Sequence, residues 1–251
     1  MRPMDGIRYS VVIPVNNEED TVALLVRALT PVMESLGAGY ELIMVDDGST
    51  DRTLPRLRQL AQQTVRLTVL SLGTQQGKGA ALQAGMDRVR GEILMMLDGD
   101  LQDDPREIPH LLQKLDQGYD VVCGWRFPRR DPFGKKFASF LGNLTRRCLW
   151  HDPVHDVGCS LRVFRRAVLS RVEFSDGRHR WFTWLAAREG FRIGEVKVRH
   201  HPRQFGHTHY GMWDRLLESC VTLWHLRRTR ISAEPKEPRH EPSLDRTGIG
   251  R

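Results

Sequence analysis

The sequence predicts an α/β fold whose core is a mostly parallel β-sheet with helices on both faces. Five short apolar runs of strand length recur along the first half of the chain. Segments of ten or more residues with helical character separate them. Continuous apolar runs indicate strands buried on both faces, and strands that alternate with helices indicate right-handed βαβ units. One domain is expected, because no Pro/Gly/Ser-rich linker interrupts the first 210 residues.

The predicted elements follow one another in a regular order. Strands are placed at residues 10–15, 41–45, 67–72, 93–97 and 120–125. The first helix is expected to carry the acidic residues from Glu18 in its first turn and to end near Leu36. A second helix follows Asp51 and a third covers residues 77–89. Asp104 and Pro105 open a fourth, with proline at the first helical position.

Acidic residues follow the fourth strand, where open α/β sheets bind their ligands. In a continued strand, Asp98 and Asp100 would point to the same side, and Gly99 would let a ligand approach the backbone. Two carboxylates with the amide oxygen of Gln102 suit a hard cation, Mg²⁺ or Mn²⁺. The alternative is an acidic turn that caps the helix opened by Pro105.

A second acidic cluster, Asp46 and Asp47, follows the second strand. The turn after the first strand lacks the GxGxxG of a Rossmann dehydrogenase. Residues 73–79 lack the spacing and the Ser/Thr of a P-loop. Carboxylates can accept hydrogen bonds from a base or a ribose, but they bind a diphosphate only through a cation. Together these observations favour a sugar nucleotide as ligand.

Charge is distributed unevenly along the 251 residues. Residues 1–125 carry 12 Lys and Arg against 18 Asp and Glu, a net charge of −6, so the remaining residues carry +13. A basic segment, residues 126–147, directly follows the fifth strand and is expected to face anionic substrate. A nucleic-acid-binding module is an alternative of another class, but its phosphates would be repelled by the strand-end acids. No nucleic-acid partner is therefore expected.

Four motifs, taken in order and spacing, resemble those of glycosyltransferase family 2, which has the GT-A fold. They lie at residues 11–18, 45–51, 77–79 and 97–102. Residues 124–126, 156–162 and 201–211 carry a narrower similarity to dolichyl-phosphate mannosyltransferases and their bacterial polyprenyl-phosphate relatives. Members usually have Asp-Ala-Asp followed by His-Pro-Pro, whereas this chain has Gly99 between its acids and Asp103-Asp104-Pro105 after them.

The resemblance implies a role for each matching residue. The nucleoside is expected to be held by Pro14, Asn16, Glu18, Asp46 and Asp47. The metal is expected on Asp98, Asp100 and Gln102, and the phosphates on Arg126, Lys135, Ser139 and Arg203. The same motifs place Ser49, Lys78, Gly99 and Arg162 among the substrate-binding residues, and Asp98, Asp100 and Arg126 among the catalytic ones.

The expected activity is metal-dependent, inverting transfer of a sugar from a nucleotide diphosphate to a polyprenyl phosphate, dolichyl or undecaprenyl. A phosphate monoester has a second pKa near 6, so this acceptor is an anionic nucleophile at pH 7 without a general base. The alternative is a hydroxyl acceptor, for which a carboxylate such as Asp156 or Asp103 would have to act as base.

The expected domain organisation is a catalytic domain at residues 1–211, an amphipathic helix at 212–230 and a disordered tail at 231–251. The helix has an apolar stripe and a basic end, which suits either core packing or a membrane interface. Four cysteines without a CxxC pair favour a reduced compartment. A cytoplasmic protein, peripheral at the inner face of the membrane, is expected.

Overall fold

The computed structural model describes residues 6–127, 153–175 and 177–202. Lys135, Ser139, Arg203, the helix predicted at 212–230 and the tail at 231–251 lie outside the described residues.

The first half of the described chain forms four parallel strands in βαβ order. The strands are β1 (Ile7–Val15), β2 (Gly39–Asp46), β3 (Leu67–Ser71) and β4 (Ile93–Met96). The helices between them are α1 (Val22–Ser35), α2 (Thr53–Gln63) and α3 (Lys78–Met86). β1 lies between β2 and β4 and pairs in parallel with both. The strands predicted from apolar runs are confirmed here.

Within its described residues, the second half adds three strands and two α-helices. A 3₁₀ turn (Pro105–Glu107) leads into α4 (Ile108–Leu115), which is followed by β5 (Val121–Arg126) and β6 (Arg162–Arg165). α5 (Phe182–Arg188) and β7 (Ile193–Val198) come last. The sheet order is β3-β2-β1-β4-β6-β5-β7, and β6 is antiparallel to both of its neighbours. The mostly parallel sheet is confirmed, whereas β6 and β7 were not predicted.

The start of the first helix was predicted four residues too early. α1 begins at Val22, and the acidic residues from Glu18 form a turn before it. The carbonyl oxygen of Glu18 accepts from the backbone N–H groups of Thr21 and Val22, both at 3.1 Å. Asn17 has a positive φ of 54°, a backbone conformation that no helix can include. The turn therefore separates β1 from the helix and stays at the strand end.

Each face of the sheet packs against its own hydrophobic core. One core joins α1 and α4 to inward residues of β1, β2 and β4, including Val11, Leu25 and Leu111. The other joins α3 and α5 to the opposite face, including Val12, Leu82 and Phe182. The prediction of a sheet covered on both faces is confirmed. Among the helices of the described ranges, none is long and apolar enough to cross a membrane.

Candidate active site

The candidate site lies at the carboxyl end of the parallel strands. β1, β2, β4 and β5 end there, at Val15, Asp46, Met96 and Arg126. The loops that follow these strands carry most of the residues singled out by the sequence. This is the edge at which open α/β sheets bind ligands.

The two acids after β4 lie in a turn and not in a continued strand. β4 ends at Met96, and Gly99 and Asp100 form a turn. The expectation that two-residue alternation aligns Asp98 with Asp100 is therefore wrong. Leu101 has a φ of 60°, and the carboxylate of Asp100 accepts from the backbone N–H of Gln102 at 3.1 Å. The turn, held by this bond, presents both acids at the edge of the sheet.

Close packing also explains why position 99 is a glycine, in addition to the predicted approach of a ligand to the backbone. A Cβ added at this position would lie 2.7 Å from Cγ1 of Val15, at the end of β1. Such a distance is shorter than ordinary carbon contacts, so an alanine here would force Val15 to move. Gly99 thus lets the acidic turn pack closely against β1.

Lys78 brings a positive charge to the acidic turn. It is the first residue of α3, and its Nζ lies 2.5 Å from Oδ1 of Asp98. Both side chains are partly exposed, 39% for Lys78 and 34% for Asp98. The sequence named both residues, but only the tertiary structure joins them.

Asp104 caps the helical segment that Pro105 opens, as the alternative interpretation predicted. Its carboxylate accepts from the backbone N–H of Arg106 at 3.0 Å, at the start of the 3₁₀ turn that precedes α4. Burial would favour its neutral acid form, but hydrogen bonds and charge from Arg106, with His201, lower its pKa to about 2. The capping interpretation therefore holds for Asp104, whereas the metal role of Asp98 and Asp100, at the edge of the sheet, stays a prediction.

Asp103 is a buried anchor for the same loop. Its carboxylate accepts a hydrogen bond from Ser160, and Ser160 in turn accepts from the backbone N–H of Asp98 at 3.2 Å. The ring of His200 lies 3.9 Å away. Burial opposes ionisation, yet His200, Ser160 and the charge of Arg126 keep the pKa of Asp103 below its ordinary value. Sequence reasoning missed Ser160 and His200 as positioning residues, because nothing local links them to the acidic turn.

Gln102 is held by the segment that follows β7. Its carbonyl oxygen accepts from the N–H of His201 at 2.9 Å, and its side-chain Nε2 lies 3.5 Å from the carbonyl oxygen of His201. The side-chain amide predicted to bind metal is thus positioned by residues almost one hundred positions away.

Asp46 and Asp47 organise the loops after β2 and β3. The carboxylate of Asp47 accepts from the backbone N–H groups of Gln76, at 2.7 Å, and Gly77, at 2.9 and 3.0 Å. Its own carbonyl oxygen accepts from Nδ2 of Asn16 at 2.6 Å. Asp46 accepts from Ser71 Oγ and from the N–H of Ser49. Both acids are buried, so the structure places them as loop anchors beside the predicted nucleoside position.

The remaining predicted nucleoside residues lie at the end of β1. Pro14 pairs in register with Val45 of β2. The carboxylate of Glu18 accepts from Oγ1 of Thr21 at 2.9 Å, and Oγ of Ser49 accepts from the N–H of Asn17 at 3.0 Å. The structure brings these residues together with the Asp46 and Asp47 loops.

Arg126 and Asp156 form a buried bidentate ion pair. Nε and Nη2 of Arg126 donate to the two carboxylate oxygens of Asp156 at 2.6 and 2.8 Å. Their side chains are only 12% and 5% exposed. Burial alone would lower the pKa of Arg126, but the hydrogen bonds and the charge of Asp156 outweigh burial and raise this pKa above its ordinary value. The sequence predicted Arg126 as a phosphate contact without identifying this partner.

The side chain of Arg162 forms hydrogen bonds with backbone carbonyl oxygens. Its guanidinium donates to the carbonyl oxygens of Val157 at 2.7 Å, Cys159 at 3.2 Å and His179 at 3.4 Å. It is buried at the start of β6. The structure thus assigns these donors of Arg162 to tying two loops together, while its substrate-binding role stays a prediction.

His179 is partly buried and packs against the start of α3, with its Nδ1 atom buried. A Cβ on Gly79 would lie 2.8 Å from its Nδ1 and 2.9 Å from the carbonyl oxygen of Phe174, so glycine is required for this close approach. Burial first, and then the charges of Lys78, Arg180 and Arg162, lower the pKa of His179 to about 3. The imidazole is therefore neutral at pH 7. Sequence reasoning had no signal for this histidine.

We expect His179 to make the protein less stable in mild acid. The unfolded histidine binds a proton near pH 6.5, whereas the folded one resists protonation down to about 3. Stability from this group is present above pH 6.5 and is lost as the pH falls from there toward 3. Between pH 7 and pH 5, wild type should lose about 2 kcal/mol more unfolding free energy than H179Q. Urea unfolding of both proteins at each pH checks this, and equal losses would contradict it.

The donor set at the acidic turn fits a hard divalent cation. Asp98 and Asp100 supply carboxylate oxygens, which Mg²⁺ and Mn²⁺ prefer, and both are partly exposed at the edge of the sheet. The ammonium group of Lys78 already pairs with Asp98, which indicates that this carboxylate attracts positive charge. Within the described ranges, no group of three or more His, Cys, Asp or Glu side chains is arranged to hold a metal. Remaining positions would thus come from Gln102, water or substrate phosphates.

The mostly parallel seven-stranded sheet, with helices on both faces and acids at its strand ends, is an α/β fold of the GT-A type. Residues 10–173 match the sequence profile of glycosyl transferase family 2, and the chain belongs to this family. The resemblance and the fold predicted from the sequence are both confirmed.

Two of the relatives that this chain matches are named for reactions with polyprenyl phosphates. Dodecaprenyl-phosphate galacturonate synthase of Rhizobium johnstonii is 37% identical over 215 residues, which cover 84% of this chain and 64% of that protein. Undecaprenyl-phosphate 4-deoxy-4-formamido-L-arabinose transferase of Edwardsiella ictaluri is 35% identical over 228 residues, which cover 88% of this chain and 70% of that protein. The chain therefore spans about two thirds of the length of these relatives.

The fold also matches a solved structure. Glucosyl-3-phosphoglycerate synthase from Mycobacterium tuberculosis, crystallised with Mn²⁺, uridine diphosphate and glucosyl-3-phosphoglycerate, aligns with a TM-score of 0.66. The alignment covers 88% of this chain and 78% of that chain at 22% identity. At this identity the likeness establishes the fold alone.

Proposed function

We propose that this protein is an inverting glycosyltransferase that moves a sugar from a nucleotide diphosphate to a polyprenyl phosphate. The observation that carries the proposal is the acidic turn at the end of β4, which holds Asp98 and Asp100 and places Asp98 beside the cationic Lys78. Two relatives, each more than a third identical, act on polyprenyl phosphates by their names.

Donor binding is assigned to the loops after β1, β2 and β3. The turn at Asn17 and the Asp47 anchor hold these loops at the strand ends, where a nucleoside can meet backbone and side-chain acceptors. The donor diphosphate would extend from there toward Lys78, Asp98 and Asp100. A divalent cation on Asp98, Asp100 and Gln102 would supply positive charge to the departing nucleotide diphosphate.

The class of acceptor is inferred from the burial and the hydrogen-bond partners of the two candidate general bases, Asp156 and Asp103. A hydroxyl acceptor needs a general base, for which the sequence offered Asp156 and Asp103. Both carboxylates are buried, Asp156 in its bidentate pair with Arg126 and Asp103 in its bond with Ser160. Because a base must reach the proton that it removes, neither acid is placed for that role. A phosphate acceptor needs no base, which favours a polyprenyl phosphate.

Arg126 is assigned to the phosphates through the guanidinium edge that Asp156 does not use. The ion pair involves Nε and Nη2, so Nη1 is the donor proposed to meet a phosphate oxygen. Asp156 fixes the plane of the guanidinium and so aims that donor. Lys135, Ser139 and Arg203, which also belong to the predicted phosphate set, lie outside the described residues.

Contact with the inner face of a membrane is part of the proposal, since a lipid-linked phosphate has to be reached there. Its support is the acceptor chemistry in the relatives' names and the basic end of the segment at 212–230.

A transfer assay tests the proposed function. The protein is incubated with Mn²⁺ or Mg²⁺, a panel of nucleotide sugars, and short and long polyprenyl phosphates. We expect a lipid-linked sugar with at least one donor, and no product when a chelator is added in excess. Transfer to a sugar or glycan hydroxyl, with none to any polyprenyl phosphate, would overturn the acceptor assignment.

A further inference from the structure

The Lys78–Asp98 pair points to a role for Lys78 that goes beyond holding the donor. Nζ of Lys78 lies 2.5 Å from Oδ1 of Asp98, one of the two acids assigned to the cation. Mg²⁺ binds carboxylate oxygens at about 2.0–2.1 Å, so an ammonium at this oxygen and a divalent ion would repel each other strongly. Lys78 and the metal therefore compete for the same carboxylate.

The backbone of Lys78 is fixed, so its side chain is the part that moves. Gly77, directly before it, donates its N–H to the buried carboxylate of Asp47. Gly79, directly after it, packs against His179 and the carbonyl oxygen of Phe174. A long, 39% exposed lysine side chain on this anchored backbone can swing between Asp98 and the place assigned to the donor diphosphate.

The surroundings of Lys78 favour an anion once the ammonium leaves Asp98. His179 is neutral, and its lowered pKa reflects the positive charges of Lys78, Arg180 and Arg162 after the effect of burial. Lys78 also begins α3, whose N-terminal backbone dipoles attract negative charge. A diphosphate would therefore accept the displaced ammonium and the metal together.

We propose that Lys78 makes metal binding depend on the nucleotide. Without a nucleotide, Lys78 holds Asp98 and weakens the metal site. With a nucleoside diphosphate, Lys78 moves to the phosphates and Asp98 becomes available to the metal. Lys78 is thus a coupling residue that sets the order of binding, and this inference rests on the metal site of the proposed function.

Metal titration tests the coupling without any activity measurement. Mn²⁺ binding to the full chain is followed by electron paramagnetic resonance, alone and with saturating uridine or guanosine diphosphate. For Mn²⁺ alone, K78M should bind about five- to tenfold more tightly than wild type, because the competing ammonium is gone. A nucleoside diphosphate should tighten Mn²⁺ binding much more in wild type than in K78M. K78R, which keeps the charge, should resemble wild type.

K114M is the matched control, because it removes one lysine charge from α4, where Lys114 lies over the ring of Tyr119. It should bind Mn²⁺ like wild type, alone and with nucleotide. If K78M binds Mn²⁺ alone no more tightly than wild type does, the coupling is overturned while the metal site stands. If neither protein binds Mn²⁺ even with nucleotide, and transfer persists in excess chelator, the metal site itself is overturned and the coupling with it.

Discussion

D100A should abolish sugar transfer while the protein stays folded. Losing a carboxylate that binds the cation removes several kcal/mol of leaving-group stabilisation. At 1.36 kcal/mol per factor of ten, we expect transfer to fall by about two to four orders of magnitude. Asp100 is a cleaner test than Asp98, because Asp98 also pairs with Lys78. The measurement is the transfer rate at saturating donor and Mn²⁺, with thermal unfolding of each variant.

D100N separates the metal role of Asp100 from its role in the turn. The carboxylate accepts from the N–H of Gln102, a bond whose loss costs about 1 kcal/mol. Asparagine keeps an oxygen acceptor for that N–H and removes the charge, so D100N should unfold near wild type and still lose transfer. E92A, which removes an exposed acid just before β4, should transfer sugar normally. Near-normal transfer by D100N would exclude a charged ligand role for Asp100.

D156A should be the most destabilising single change at the site. Its partner Arg126 is 12% exposed and would keep its charge without its bidentate carboxylate. Removing one member of a buried ion pair costs about 3–5 kcal/mol, a large fraction of the roughly 5–15 kcal/mol by which a typical domain is stable. Urea unfolding at pH 7 measures the loss.

Two further variants show whether the cost comes from the unpaired charge. R126M/D156L replaces the pair with apolar side chains, and it should be less destabilised than D156A alone. R171A breaks the exposed pair of Arg171 with Glu189, where Arg171 is 49% exposed, and should cost less than about 1 kcal/mol. A D156A protein within 1 kcal/mol of wild type would mean that Arg126 is adequately solvated without its partner.

The amino-acid sequence by itself determined the parallel half of the sheet and the place of the site. The apolar runs at β1 to β5 and the polar residues that end them are local patterns, and strand period and termination depend on local chemistry. The order of the motifs was enough to predict the family, to which the chain belongs.

Only the tertiary structure decided which partners each acid has and which acids hold loops and helix starts in place. Asp100 and Asp104 look alike in sequence, yet one forms the edge turn and the other caps a helix. Likewise, the partners of Asp103 and Asp156 lie 57 and 30 positions away along the chain. The antiparallel strand β6, inserted between β4 and β5, is equally non-local. Such contacts follow from packing between distant segments, because burial and pairing in three dimensions, and not residue spacing, fix the charge and partner of each carboxylate.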